Sequence, residues 1–193
     1  MHDASRPERG PRPPRPLDAA RLDELALAYV ARFATSAGKL ADYLRRKLRE
    51  RGWEGEAAAD VPAVVARMVA AGYVDDAVFA RAKGQGLLRR GYGARRIGQA
   101  LGQAGIGEDL RADGLGSDRE RRQAALTMAR KRRFGPFGRG TGEAGHTGRH
   151  DPATREKQVA AMLRAGHPLA SARAMVDAAS IEEAESWVDD EVD

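Results

Sequence analysis

Cysteine is absent from the 193 residues. That excludes a disulfide, a thiol nucleophile and a zinc site of the usual thiolate kind, and it suits a reducing compartment. Aromatic residues make up only 5%, which leaves a thin core and argues against a single-strand nucleic-acid reader built on stacked bases. No run approaches the ~18 apolar residues needed to cross a bilayer. The N-terminal MHDASRPERGPRPPRPLDAA also lacks the apolar centre of a signal peptide. A cytoplasmic protein without membrane contact is expected.

Recognisable catalytic and cofactor patterns are missing as well. No serine, histidine and acid are spaced as a nucleophilic set. His146 and His150 lie four apart, but in a glycine-rich stretch that spacing does not define one helix face, and no carboxylate cluster completes a metal site. GQGLLRRGYGARR, residues 84–96, sets glycines beside arginines. It lacks the strand-loop-helix arrangement and the Lys-Ser/Thr ending of a phosphate-binding loop. Neither an enzyme, a cofactor nor a metal is expected.

What is abundant points to helices. Alanine and arginine are frequent and β-branched runs few, so the chain reads as all-α. Leu22, Leu25, Ala26, Tyr29, Val30 and Phe33 recur at three and four residues, the stripe of a first helix that begins near Pro16. Ser36 suits the cap of a second helix over 37–51, closed by Gly52. Its stripe is Ala37, Leu40, Ala41, Leu44 and Leu48, with Lys39, Arg45, Arg46 and Arg49 on the opposite side. Asp42 and Arg46, and Arg46 and Glu50, stand at the i, i+4 spacing of helical ion pairs. A third helix is expected over 56–71.

GYVDDAVFA, residues 72–80, then reads as a tight corner. Gly72 supplies a left-handed stop, Asp75 or Asp76 caps the next helix, and Tyr73, Val74, Val78 and Phe79 pack on the inner side. A second round follows, with helices over 75–90, 94–104 and 108–115, and a third over 118–133, 152–165 and 168–179. Leu48, Leu101 and Met162 each precede a stop glycine by four residues, at Gly52, Gly105 and Gly166. Such self-similarity predicts an elongated stack of tandem three-helix units, each burying its apolar face against a neighbour.

The units expected are 17–72, 73–116 and 117–179. A Pro/Arg-rich flexible arm over 1–16 precedes them, a flexible Gly-rich insertion over 135–150 interrupts the third, and an acidic tail over 180–193 follows, with Trp187 as its anchor. Charge follows a gradient: residues 1–35 carry 6 Lys/Arg and 5 Asp/Glu, residues 36–150 carry 23 and 13, and residues 151–193 carry 4 and 10. A basic middle attracts a polyanion or an acidic protein surface. Arg95 and Arg96 belong to the outward side of their helix, and in RKRR, Arg130, Lys131, Arg132 and Arg133 cannot all face a core.

The order of these elements resembles the RecX regulators of the bacterial recombinase RecA. The resemblance rests on Gly72, Tyr73, Asp75, Asp76, Phe79 and Ala80, followed by Arg89, Gly91, Gly93, Arg96 and Ile97 in LLRRGYGARRIGQALGQAGI. SAGKLADYLRRKLRERGW and ARKRRFG resemble further segments of that family, so the likeness spans roughly 20–179. It implies a modular helical protein, and a monomer is expected. Such a protein lies along a RecA filament on DNA, alters its assembly and inhibits strand exchange, ATP turnover and coprotease activity without catalysis of its own. Two other partners stay open on the residues alone: DNA contacted directly by the basic middle, and an unrelated protein bound by a helical adaptor.

Overall fold

The computed structural model describes residues 15–138 and 151–190. The expected arm up to residue 14, the part of the glycine-rich insertion with His146 and His150, and residues 191–193 lie outside the described residues. Among the described residues the fold is all-α: ten α-helices, one 3-10 turn and a single isolated bridge between Leu17 and Trp53. The chain forms two compact units, Met1–Val74 and Asp75–Asp193.

In the first unit, α1 (Ala19–Arg32) begins where the Asp18 carboxylate accepts the Arg21 amide at 2.8 Å. Helix α2 (Ala37–Arg51) begins at Ser36, whose hydroxyl accepts the Lys39 amide, and ends at Gly52 with φ +80°. Leu22 and Ala26 of α1 meet Leu40 and Leu44 of α2 and Val61 and Val64 of α3 (Val61–Ala70) in one buried core. Burying each of the leucines removes enough apolar surface to contribute about 1.5–3 kcal/mol. Helix α3 starts later than residue 56 because Asp60 accepts the Ala63 amide and Pro62 fits the first turn.

The second unit opens with α4 (Asp76–Leu88), α5 (Ala94–Gly102) and α6 (Glu108–Gly114), which enclose Ala80, Leu87, Leu88, Ile97, Leu101, Ala104 and Ile106. Helices α4 and α6 cross at two glycines, where a Cβ on Gly84 would stand 1.8 Å from the Gly114 carbonyl oxygen. A further core joins α7 (Asp118–Arg132), α8 (Pro152–Arg164), α9 (Leu169–Asp177) and α10 (Ile181–Asp189). Helix α7 carries a full capping box, with Ser117 and Glu120 each satisfying the other's backbone amide.

Three expectations need correction. Residues 181–189 are not a solvated tail: Ser180 caps α10, and Ala184 and Val188 are buried against the core of α7 and α9. Burial of the small apolar face, together with arginines from α7, keeps this segment helical although it carries Glu182, Glu183, Glu185 and Asp189. The expected insertion does not begin as a flexible stretch either. Gly135–Phe137 is a 3-10 turn whose Gly135 and Pro136 are buried, with the Gly135 amide donating to Gln158 Oε1 at 2.9 Å. Finally, Tyr73 and Val78 do not pack inside the corner; they are 58% and 54% exposed. Val78 stands about 200° round α4 from buried Ala80 and 180° from Leu87, so it must face away from their core. Val74 alone is fully inside, while Phe79 is half-buried.

Candidate interaction surface

The corner glycines and acids position the basic helices. Gly72 has φ +75°, and its amide donates to Val69 while the Tyr73 amide donates to Met68, which closes α3. Asp75 is the cap of α4 and accepts the Val78 amide at 2.9 Å; Asp76 is the first residue of the helix. At the other end of α4, Gly91 (φ +86°) turns the chain towards Gly93, the cap residue of α5. There the backbone meets α8 directly. The Gly93 amide donates to the Ala165 carbonyl at 3.0 Å, the Arg95 amide to the Gly166 carbonyl at 3.2 Å, and His167 Nε2 lies 3.0 Å from the Gly91 carbonyl. Burial pushes the His167 ring below its ordinary value of 6.5, partly offset by that hydrogen bond.

The α2 cations divide into paired and unpaired sets. Arg45 is bound to Asp42 at 3.2 Å, so the Asp42 partner is Arg45 rather than Arg46. Arg46 and Lys47 share Glu50, at 3.5 and 2.6 Å, and hold its carboxyl below the usual range, with the Lys47 hydrogen bond the largest cause. These i, i+3 and i, i+4 pairs are exposed and contribute little to stability. Lys39 and Arg49 are exposed and have no carboxylate of the described residues within ion-pair distance.

In the second unit, Arg95 is exposed, as expected, and also makes a contact within the fold. Its guanidinium donates to the Leu163 carbonyl at 2.6 Å, capping the end of α8. Arg130 is engaged by Glu185 of α10 and stacks 5.7 Å from the Phe137 ring. Arg89, Arg96, Lys131, Arg132 and Arg133 are exposed, and none pairs with a carboxylate of the described residues. Phe79, Ala80 and Ile97 sit beneath this surface as core of α4 and α5.

Two features escape the sequence reading. Arg119 and Arg122 of α7 are held by α10, the first by Asp189 at 2.7 Å and the second by the Trp187 carbonyl and ring, the ring centroid 4.9 Å away. Charge alternation between α7 and the acidic C-terminal segment was the available signal. The other is a groove of about 510 Å³ lined by Gln85, Leu88, Arg89, Arg119, Glu120 and Gln123. Glu120 is held ionised there by the Ser117 amide first, then by Gln85 and the Ser117 hydroxyl.

Known proteins share this arrangement. A family model described as RecX, second three-helix domain, matches residues 75–115, which are α4, α5 and α6 with the Asp75 cap. The chain is also 32% identical over 182 residues to the Regulatory protein RecX of Myxococcus xanthus, covering 88% of this chain and 91% of that one. The chain belongs to the RecX family. The Regulatory protein RecX of Deinococcus radiodurans is 35% identical over 131 residues, covering 67% of this chain and 61% of that one. A crystal structure of RecX from Lactobacillus salivarius shares the fold with a TM-score of 0.62 at 15% identity, over 82% of this chain and 94% of that one. A second RecX crystal structure matches at 0.63 and 16%, over 83% and 72%. RecX proteins are non-enzymatic regulators, and the caps, glycines and helical cores above are what this member builds its surface on.

Proposed function

We propose that the chain binds the filament that RecA recombinase forms on DNA and acts mainly as its inhibitor, modulating filament assembly, strand exchange, ATP turnover and coprotease activity in DNA repair and the SOS response. The observation that carries this reading is the likeness to a RecX regulator along nearly the whole chain. Supporting it are exposed cations with no carboxylate of the described residues within ion-pair distance: Lys39 and Arg49 on α2, and Arg89, Arg96, Lys131, Arg132 and Arg133 around α4, α5 and α7. A protein filament wound on DNA offers carboxylates and phosphates together, and cations not neutralised at home are attracted by both. The protein acts as a monomer in the cytoplasm.

The test is charge reversal at Arg89, Arg96 and Arg132. None contributes a buried contact, so the melting transition should stay in place, while sedimentation with recombinase filaments should fall. Unchanged co-sedimentation at low and moderate salt would place the contact elsewhere. In this reading Gly72 closes α3, Asp75 and Asp76 begin α4, and Phe79, Ala80, Gly93 and Ile97 build the core and cap of α4 and α5, while the Tyr73 ring is exposed.

A further inference from the structure

The apolar stripe of α1 outruns the core it helps to build. Leu22 and Ala26 are buried, Tyr29 and Val30 are half-buried, and Phe33, one turn further on the same side, is 54% exposed. The rings along this end form a ladder. Phe33 and Tyr29 have centroids 5.2 Å apart, tilted by 47°, and Tyr29 stacks on Tyr43 of α2 at 4.2 Å and 20°. Cations stand over both ends: Arg32 lies 6.0 Å from the Phe33 centroid, and Arg46 and Lys47 lie 5.6 and 5.9 Å from that of Tyr43. Sparse aromatic content argues against a stacked-base reader spread along the chain, yet three of the few rings are gathered at one place.

An apolar stripe alone would fit any greasy cover. Here the cover must also carry negative charge, because Lys39, Arg45, Arg46, Lys47, Arg49 and Arg51 of α2 outnumber Asp42 and Glu50. Single-stranded nucleic acid meets both demands with one repeating unit, a flat π face beside a phosphate. A duplex does not, since its base faces are already stacked. We propose that the Phe33–Tyr29–Tyr43 ladder is a binding site for single-stranded nucleic acid, in which the exposed ring of Phe33 receives a base and Arg32, together with the excess positive charge of α2, attracts the flanking phosphates. The site is in the first unit and needs no recombinase, so it stands or falls separately from the filament reading.

Fluorescence anisotropy of a labelled oligothymidylate of about 20 nucleotides, with the full-length protein and no recombinase, reads the site directly. An abasic oligonucleotide of the same length, a duplex and a polyglutamate peptide serve as comparators. Oligothymidylate should bind more tightly than its abasic counterpart by roughly 5- to 150-fold, the range of one stacked base. Phe33→Leu keeps the apolar volume but loses the π face, so it should erase that margin while leaving abasic binding unchanged. Arg32→Gln should keep the margin and lower the salt slope by about 0.7, one phosphate's share on a single strand. Equal affinity for abasic and base-bearing strands, or a Phe33→Leu protein that retains the margin, overturns the proposal. Tighter capture of polyglutamate than of oligothymidylate also overturns it and makes the ladder a protein-docking surface.

Discussion

Replacing Gly93 by alanine tests how α5 and α8 are joined. A Cβ on Gly93 would stand 2.3 Å from both the carbonyl carbon and oxygen of Gly166 and 2.4 Å from the His167 amide nitrogen. All three atoms are backbone, so no side chain can swing aside. The backbones must separate by about 1 Å to reach ordinary contact, and the hydrogen bonds from Gly93 to Ala165 and from Arg95 to Gly166, now 3.0 and 3.2 Å, stretch with them. Overpacking costs about 1–3 kcal/mol and a weakened hydrogen bond about 1 kcal/mol more. The expected loss is about 2–4 kcal/mol, which for a unit of this size is a fall of roughly 10 °C in Tm. Gly98, five residues on in the same helix, is the control. A Cβ there meets nothing within 4 Å, so Gly98→Ala should gain about 0.5–1 kcal/mol from helix propensity. Thermal and urea unfolding of the two variants should therefore move in opposite directions. Equal shifts, or a Gly93→Ala protein as stable as the parent, would refute the close backbone junction.

Asp75→Ala removes the acceptor of the Val78 amide and should cost about 0.5–2 kcal/mol in urea unfolding; loss of filament binding at full stability would instead make Asp75 a contact residue. Ending the chain after Ala179 removes buried Ala184 and Val188, so circular dichroism should show a lowered Tm, where a solvated tail would leave it in place. Val188→Asp is a sharper form of the same test, expected to cost about 3 kcal/mol or more by burying an unpaired carboxyl. His167 has its affinity for a proton lowered by burial. The unfolded chain therefore binds more protons below pH 6.5, and stability present above that pH is lost as pH falls towards the depressed folded value. His167→Gln, which keeps a donor for Gly91, should flatten this slope below pH 6.5; an unchanged slope would assign it to other groups.

Much of the fold is legible because local chemistry and tertiary packing agree. Ser36, Asp75 and Ser117 occupy cap positions with their side chains on backbone amides, and Gly52, Gly105 and Gly166 take the positive φ that a closing glycine suits. What the sequence hides is tertiary. Seven acids without a base read as a tail because charge dominated the local pattern, although Ala184, Trp187 and Val188 stand at the three- and four-residue spacing of a helix face. Their partners, Arg119, Arg122 and Arg130, are some seventy residues or fewer away in sequence and on another helix. Arg95 is the outward cation its helix face suggests, but nothing near it in sequence shows the Leu163 carbonyl that it also caps. Tyr29 and Phe33 share a stripe with Leu22, yet helical spacing does not tell where along that stripe the covering helices stop.

The central claim is regulation of a recombinase filament, and ATP turnover tests it most directly. Purified full-length protein, shown to be folded, is added to RecA recombinase saturated on single-stranded DNA, and hydrolysis is followed in time. The account predicts that less than one copy per recombinase depresses the rate, and that the Arg89, Arg96 and Arg132 charge-reversal protein does so more weakly at the same concentration. A rate that stays at its starting value with the protein in excess would contradict it.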